Sequence, residues 1–276
     1  MVDAQVALVT GATRGIGRVI ALALARAGFS VVVTGRTMTE GEGQHESTGL
    51  PVPGSISATV AAIEETGGTA IGIRLDLLDR KSIDTAIAAC LERFGRLDVL
   101  VANGIYQGPV VLQKMMEVDI AAAEQAAIGN FVNQFHLARA ALAPMRAQGA
   151  GRMIFMTTLS SLIPTTGSSG LFYNGPKAAF NKIPDFINFE HGADGISAFL
   201  IEPRFTMTDT LRSVMGESAE DVGQGHAPYD PEDTAAATVW LAAHPDAPRY
   251  AGPDAINAPE FLREQGLSPN VSARKG

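Results

Sequence analysis

The sequence predicts an α/β fold in which helices pack on both faces of a parallel sheet, within one domain over residues 1–276. Three observations support this. Apolar, β-branched runs alternate with amphipathic helical stretches along the chain. A glycine-rich turn follows the first apolar run at once. No linker, repeat or low-complexity tract divides the sequence. Hydrophobic residues make up 46% of the chain and charged residues 18%, enough apolar matter for a large core and too little charge for a disordered chain.

The strand-like runs are "VALV" (6–9), "VVVT" (31–34), "AIGIRLD" (70–76), "DVLVA" (98–102), "MIFMT" (153–157) and "ISAFLIEP" (196–203). Helical patterns cover 15–28, 55–66, 80–94, 115–148 and 173–191. Continuous apolar strands separated by helices are the mark of a parallel sheet covered on both sides. Two segments interrupt the alternation. Residues 37–54 are polar and rich in Gly and Pro, and read as an exposed loop ending at an N-cap on Ser55 or Ser57. Residues 206–232 read as a loop or lid with short helices over a substrate.

The formal net charge of −8, with no cluster of Lys and Arg, argues against nucleic acid as a partner. The lone cysteine, Cys90, excludes an intrachain disulfide and sits in an amphipathic helical pattern as a core residue. No apolar run approaches the length of a membrane span, and the strand-like "QVALVTGA" begins without a preceding basic segment. The expectation is a soluble cytoplasmic protein. The five His residues lack metal-ligand spacing, so no metal is expected.

"TGATRGIG" (10–17) joins the first strand to the first helix. Gly11 permits a tight turn. Gly15 and Gly17 remove side chains where a pyrophosphate would approach backbone N–H groups at the helix N-terminus, with Thr13, Arg14 and Ile16 between them. This is a dinucleotide-binding turn. The second strand ends at Gly35 and Arg36, with no carboxylate to accept from ribose hydroxyls. Arg14 and Arg36 would attract a 2′-phosphate, which suits NADP(H) over NAD(H).

The spacing T-G-x-x-x-G-x-G resembles that of the short-chain dehydrogenase/reductase family, and later motifs extend the resemblance over roughly residues 4–260. It implies a doubly wound, Rossmann-like sheet of seven strands in the order 3-2-1-4-5-6-7. By resemblance, Asp76, with Leu77 beside it, contacts adenine, although Asp76 would also serve as a helix cap. Asn103 and Gly104 match part of an N-N-A-G stretch, with Ala102 in place of its first Asn. "EPRFTMTDT" resembles P-G-x-x-x-T over the nicotinamide. Pro203 and Thr208 match, Thr206 lies between them, and Arg204 replaces a glycine, making that backbone less permissive. "YAGPDAINAPEFL" stands in the place of the last strand without the family's usual ending.

"LFYNGPKAAF" (171–180) puts Tyr173 and Lys177 four apart, on one face of a helix. There an ammonium lowers the pKa of a phenol. A helix beginning near Tyr173 holds Pro176 in its first turn, where no bond is lost. The resemblance makes Tyr173 the general acid/base, Lys177 its partner, and Asn130 the holder of a water that passes protons to the Lys. Asn133 is its neighbouring decoy. Two hydroxyls remain open for the carbonyl: strand phase favours Thr158, and a separation of 13 residues from Tyr173 (173 − 160) puts Ser160 slightly ahead. The implied reaction interconverts a ketone and a secondary alcohol. Tyr106, Met115, Met116, Phe205, Met207 and Leu211 suggest a largely apolar substrate. Family members are often homotetramers or homodimers. The alternative is an NADP(H)-binding sensor or a non-catalytic subunit, motivated by the motif departures.

Overall fold

Alternation along each strand builds the molecule. In the computed structural model, which describes residues 4–45, 48–163, 170–215 and 228–267, Ala7 and Val9 of β1 (Val6–Val9) face one side while Val6 and Leu8 face the other. The same division holds for β2 (Ser30–Gly35), β4 (Val99–Ala102), β5 (Gly151–Met156) and β6 (Ile196–Glu202). With β3 (Ala70–Arg74) and β7 (Ala255–Asn257) they form a seven-stranded sheet in the order β3-β2-β1-β4-β5-β6-β7. Every pairing is parallel. The strand order reverses direction between β1 and β4, where such sheets open a ligand crevice at their carboxyl ends.

One face is covered by α1 (Gly15–Arg26), α2 (Ile56–Glu65), α9 (Pro231–Ala243) and α10 (Ala258–Glu264). The other carries α3 (Arg80–Phe94), α5 (Asn133–Gln148), α6 (Leu171–Phe180) and α7 (Ile183–His191). Phe155 and Phe199 are fully buried on opposite faces, and burying each contributes about 2 kcal/mol. Cys90 is completely buried, and burial pushes its thiol up to about 12, leaving it inert.

Three expectations need correction. The stretch 115–148 is not one helix: a 3₁₀ turn (Met115–Glu117) precedes α4 (Ile120–Ala127), and a π-helical turn (Ile128–Val132) separates α4 from α5. The stretch 173–191 breaks after Phe180, because Pro184 has no N–H to continue the ladder and instead opens α7. Helix α6 begins at Leu171, so Pro176 is its sixth residue and deprives the Phe172 carbonyl of an intrahelical partner.

Ser55, not Ser57, caps α2, accepting from Ala58 N at 3.1 Å. Of the expected lid, the part over 216–227 lies outside the described residues; α8 (Asp209–Met215) precedes it. No helix among the described residues is long and apolar enough to cross a membrane.

Candidate active site

The glycine turn ends at α1, whose N-cap residue, Arg14, makes no side-chain cap. The first amides of the helix are therefore not occupied by a side chain and offer an anion site. Gly15 has φ +53, a conformation that suits glycine. Gly17 serves packing rather than ligand approach: a Cβ there would lie 2.3 Å from Gly11 O and 2.4 Å from Asn103 Nδ2. Asn103 Nδ2 donates to Thr10 O at 2.9 Å, and the Thr10 hydroxyl accepts from Asn103 N and Gly104 N. The fourth strand's end is thus tied to the turn, and Thr10, absent from the expected set, is the knot. A cleft of about 370 Å³ lies against Gly15, bounded by Arg18, Thr208 and Arg212 among others.

At the end of β2 the side chain of Thr13 fills the place where a residue larger than glycine would project: a Cβ on Gly35 would come within 2.6 Å of it. Arg14 Nη2 donates to Thr37 Oγ1 and to Gly54 O, both at 3.0 Å, bracing the 37–54 loop. Its buried Nε has no hydrogen-bond partner among the described residues. Arg36 is exposed beside it, and burial followed by the charge of Arg36 lowers the pKa of Arg14. Asp76 Oδ1 accepts from Leu78 N at 3.0 Å, whereas Asp79 caps α3, so the capping alternative for Asp76 does not hold. Leu77 is buried, its carbonyl held by Asn133 Nδ2 at 2.6 Å. Asn133 also accepts from Arg80 Nε and is structural.

Thr158 follows the end of β5, and its hydroxyl acts on the Tyr173 phenol, favouring the ionised form. Ser160 Oγ donates instead to Asn174 Oδ1 at 2.7 Å. Lys177, one turn along α6, is buried, and its Nζ donates to Met156 O at 2.6 Å. Burial lowers the Lys177 pKa to about 8. The phenol departs from expectation. Desolvation raises its pKa, the Thr158 hydroxyl pulls it down and the charge of Glu202 raises it further; Lys177 contributes no resolved effect. An ammonium that itself leans towards the neutral form in a buried setting is a weak perturber.

Asn130 lies buried in the π turn, a feature often found at functional sites. Its side chain clamps the Tyr106 backbone, Oδ1 accepting from Tyr106 N at 2.7 Å and Nδ2 donating to Tyr106 O at 2.8 Å. The side-chain amide is engaged there, which leaves its backbone for any water.

Above the site, Arg204 has φ +62, the one left-handed non-glycine residue among those described. Glu202 holds it: Oε1 accepts from Arg204 N at 2.9 Å and from Leu159 N at 3.2 Å. One buried carboxylate thus ties the Thr158 segment to the Pro203–Arg204 turn, and burial raises its pKa. Thr206 Oγ1 donates to Pro203 O at 2.9 Å, and Thr208 Oγ1 accepts from Leu211 N, opening α8. Glu202 escaped the sequence reading because nothing in a sequence marks a lone carboxylate as buried. Of the expected apolar lining, Tyr106 and Met207 are buried, while Met115 and Met116 are 70% and 93% exposed.

The sheet order, together with an uncapped glycine-rich turn at the strands' carboxyl ends, defines the class: a doubly wound fold of the kind that binds NAD(P)(H). The chain belongs to the short-chain dehydrogenase family, whose description, "short chain dehydrogenase", matches residues 5–218. It is 31% identical over 251 residues to a 3-oxoacyl-[acyl-carrier-protein] reductase of Synechocystis, covering 90% of this chain and 93% of that protein. It is 27% identical over 243 residues to the 7alpha-hydroxysteroid dehydrogenase of Escherichia coli, covering 87% of each. A crystal structure of a dehydrogenase/reductase from Sinorhizobium meliloti superposes with a TM-score of 0.74 at 28% identity, covering 92% of each chain. The protein is an oxidoreductase of this family, acting between CH–OH and C=O groups.

Proposed function

We propose that the protein is an NADP(H)-dependent reductase of a largely apolar ketone, or dehydrogenase of the corresponding secondary alcohol, with Tyr173 as general acid/base. The observation that carries this reading is the placing of Tyr173 and Lys177 one turn apart on α6, with Lys177 buried and its Nζ donating at 2.6 Å to Met156 O, two residues before Thr158. The relatives named for 3-oxoacyl and hydroxysteroid substrates are in keeping with a ketone and secondary alcohol pair.

The α1 amides, with Gly11, Asn103, Asp76 and Thr208, would hold the dinucleotide. Arg14 and Arg36 favour a 2′-phosphate, because β2 ends in Gly35 and Arg36 rather than in a carboxylate, and the two guanidinium groups lie beside each other while Glu40 is turned to the Gly54 amide. When bound it supplies or accepts a hydride. Thr158 donates a hydrogen bond to the substrate oxygen, where charge develops. Tyr173 gives that oxygen a proton in reduction and takes one in oxidation. Lys177 supplies positive charge near the phenol and is reprotonated through a water on the Asn130 turn.

The exposed apolar side chains of Phe131, Phe135, Phe186 and Phe189, two of them on α7, support a homo-oligomeric assembly through this side of the molecule.

Fluorescence titration with NADPH and NADH, followed by oxidation of each against a ketone panel, tests the reading. Tighter binding of NADPH with turnover is expected. Binding without turnover on any ketone would favour a sensor, and preference for NADH would overturn the role of the two arginines.

A further inference from the structure

Gln134 follows Asn130 by four residues and is 2% exposed. Its Nε2 donates to Gly104 O at 2.8 Å. That bond fixes the orientation of the amide, since the reverse would set two carbonyl oxygens against each other. Gln134 Oε1 is then the other end, and it is buried without a hydrogen-bond partner among the described residues. Buried side-chain acceptors are nearly always paired, by protein or by ordered water. The same side chain lines a water-sized pocket with Gly104, Ile105, Asn130, Lys177 and Phe180. Lys177 brings N–H donors to that pocket and Asn130 the π-helical turn, so a water there has the polar partners it needs.

We propose that Gln134 is a positioning residue of the proton path, its Oε1 fixing a water between the Asn130 turn and Lys177 Nζ. This rests on the reading of Lys177 as the group that resupplies the phenol. By accepting one O–H of the water, Gln134 leaves a lone pair to receive an Nζ–H. In the reductive direction one proton per turnover passes from solvent to this water and on to Lys177, and the water regains the proton it gives. An apolar side chain here would leave the water one acceptor fewer and free to turn.

Two variants and two readouts test this. Gln134→Met keeps the volume and removes the acceptor. Gln134→Glu, held neutral by burial at pH 6, restores a donor towards Gly104 and an acceptor towards the water. In crystal structures, the wild type and Gln134→Glu at pH 6 are expected to hold an ordered water about 3 Å from residue 134 and from Lys177 Nζ, and Gln134→Met to lose it. With the fastest ketone of the panel, kcat of Gln134→Met is expected to fall about tenfold, with KM and NADPH affinity unchanged. Gln134→Glu should recover kcat at pH 6 but not at pH 9. A wild type without that water, or a Gln134→Met variant that keeps both the water and its kcat, would overturn the role of Gln134. So would KM and affinity worsening together with kcat, which marks a merely structural part. Full turnover by Tyr173→Phe would instead overturn the underlying proton path, while the water would still be seen.

Discussion

The Thr158 hydroxyl lowers the pKa of the Tyr173 phenol, while Ser160 gives its proton to Asn174. The two hydroxyls therefore have different work, although a single residue separates them and their oxygens are 3.2 Å apart. Thr158→Val is expected to lower kcat about 100-fold, the effect of removing one donor to a developing oxyanion. Ser160→Ala should stay within about fivefold of the wild type, since it removes only supporting bonds, to Asn174 and to Thr158. Steady-state kinetics of the two variants side by side checks the assignment; the reverse order would hand the role to Ser160.

Lys177 sets a pH dependence of stability. Its folded pKa is about 8, against an ordinary value of about 10.4 in the unfolded chain. Between those values the unfolded chain binds more protons, so the wild type gains stability as pH rises from 8 towards 10. Relative to Lys177→Met, the gain should be about 2 kcal/mol between pH 8 and pH 10. Urea unfolding of both proteins at several pH values measures it. In the reductive assay, the wild-type rate should fall as pH climbs through about 8 and the ammonium is lost.

Glu202 joins stability to tuning. Glu202→Ala leaves the amides of Leu159 and Arg204 without their acceptor and should cost about 2 kcal/mol. Glu202→Gln keeps an acceptor and removes the charge that raises the phenol's pKa. Its pH profile for alcohol oxidation should therefore shift to lower pH, because a phenol of lower pKa serves as base earlier. An unmoved profile would show that the carboxylate only braces the two segments.

Arg36 carries the cofactor preference in this account. Arg36→Glu puts a carboxylate where β2 ends, suited to ribose hydroxyls and repelling a 2′-phosphate. NADPH affinity should fall about 100-fold while NADH binding holds or improves. Titration of both cofactors by fluorescence decides it.

Much of the fold is legible in the sequence because strands buried on both faces read as continuous apolar runs, and β1, β2 and β6 lie within two residues of those runs. Interruptions are less legible. Gly129 and Asn130 lie in a π turn where a residue distant in sequence, Tyr106, is clamped and leaves no room for a Cβ on Gly129. Nothing local to 115–148 carries that information. Helices α9 and α10 went unread beside the irregular segment over 206–232 and a last strand only three residues long. In the site, the glycine turn and the Tyr173–Lys177 spacing stand out, since each depends on neighbours along one chain. Glu202 and Gln134 matter through burial, a property of packing between elements.

The most direct test of the account is turnover by Tyr173→Phe, measured with NADPH affinity in the same preparation. The phenyl ring keeps the shape and loses only the hydroxyl. A fall of about 1,000-fold in kcat with unchanged NADPH affinity is expected. Turnover within a few fold of the wild type would contradict the assignment of Tyr173 as the proton donor and acceptor.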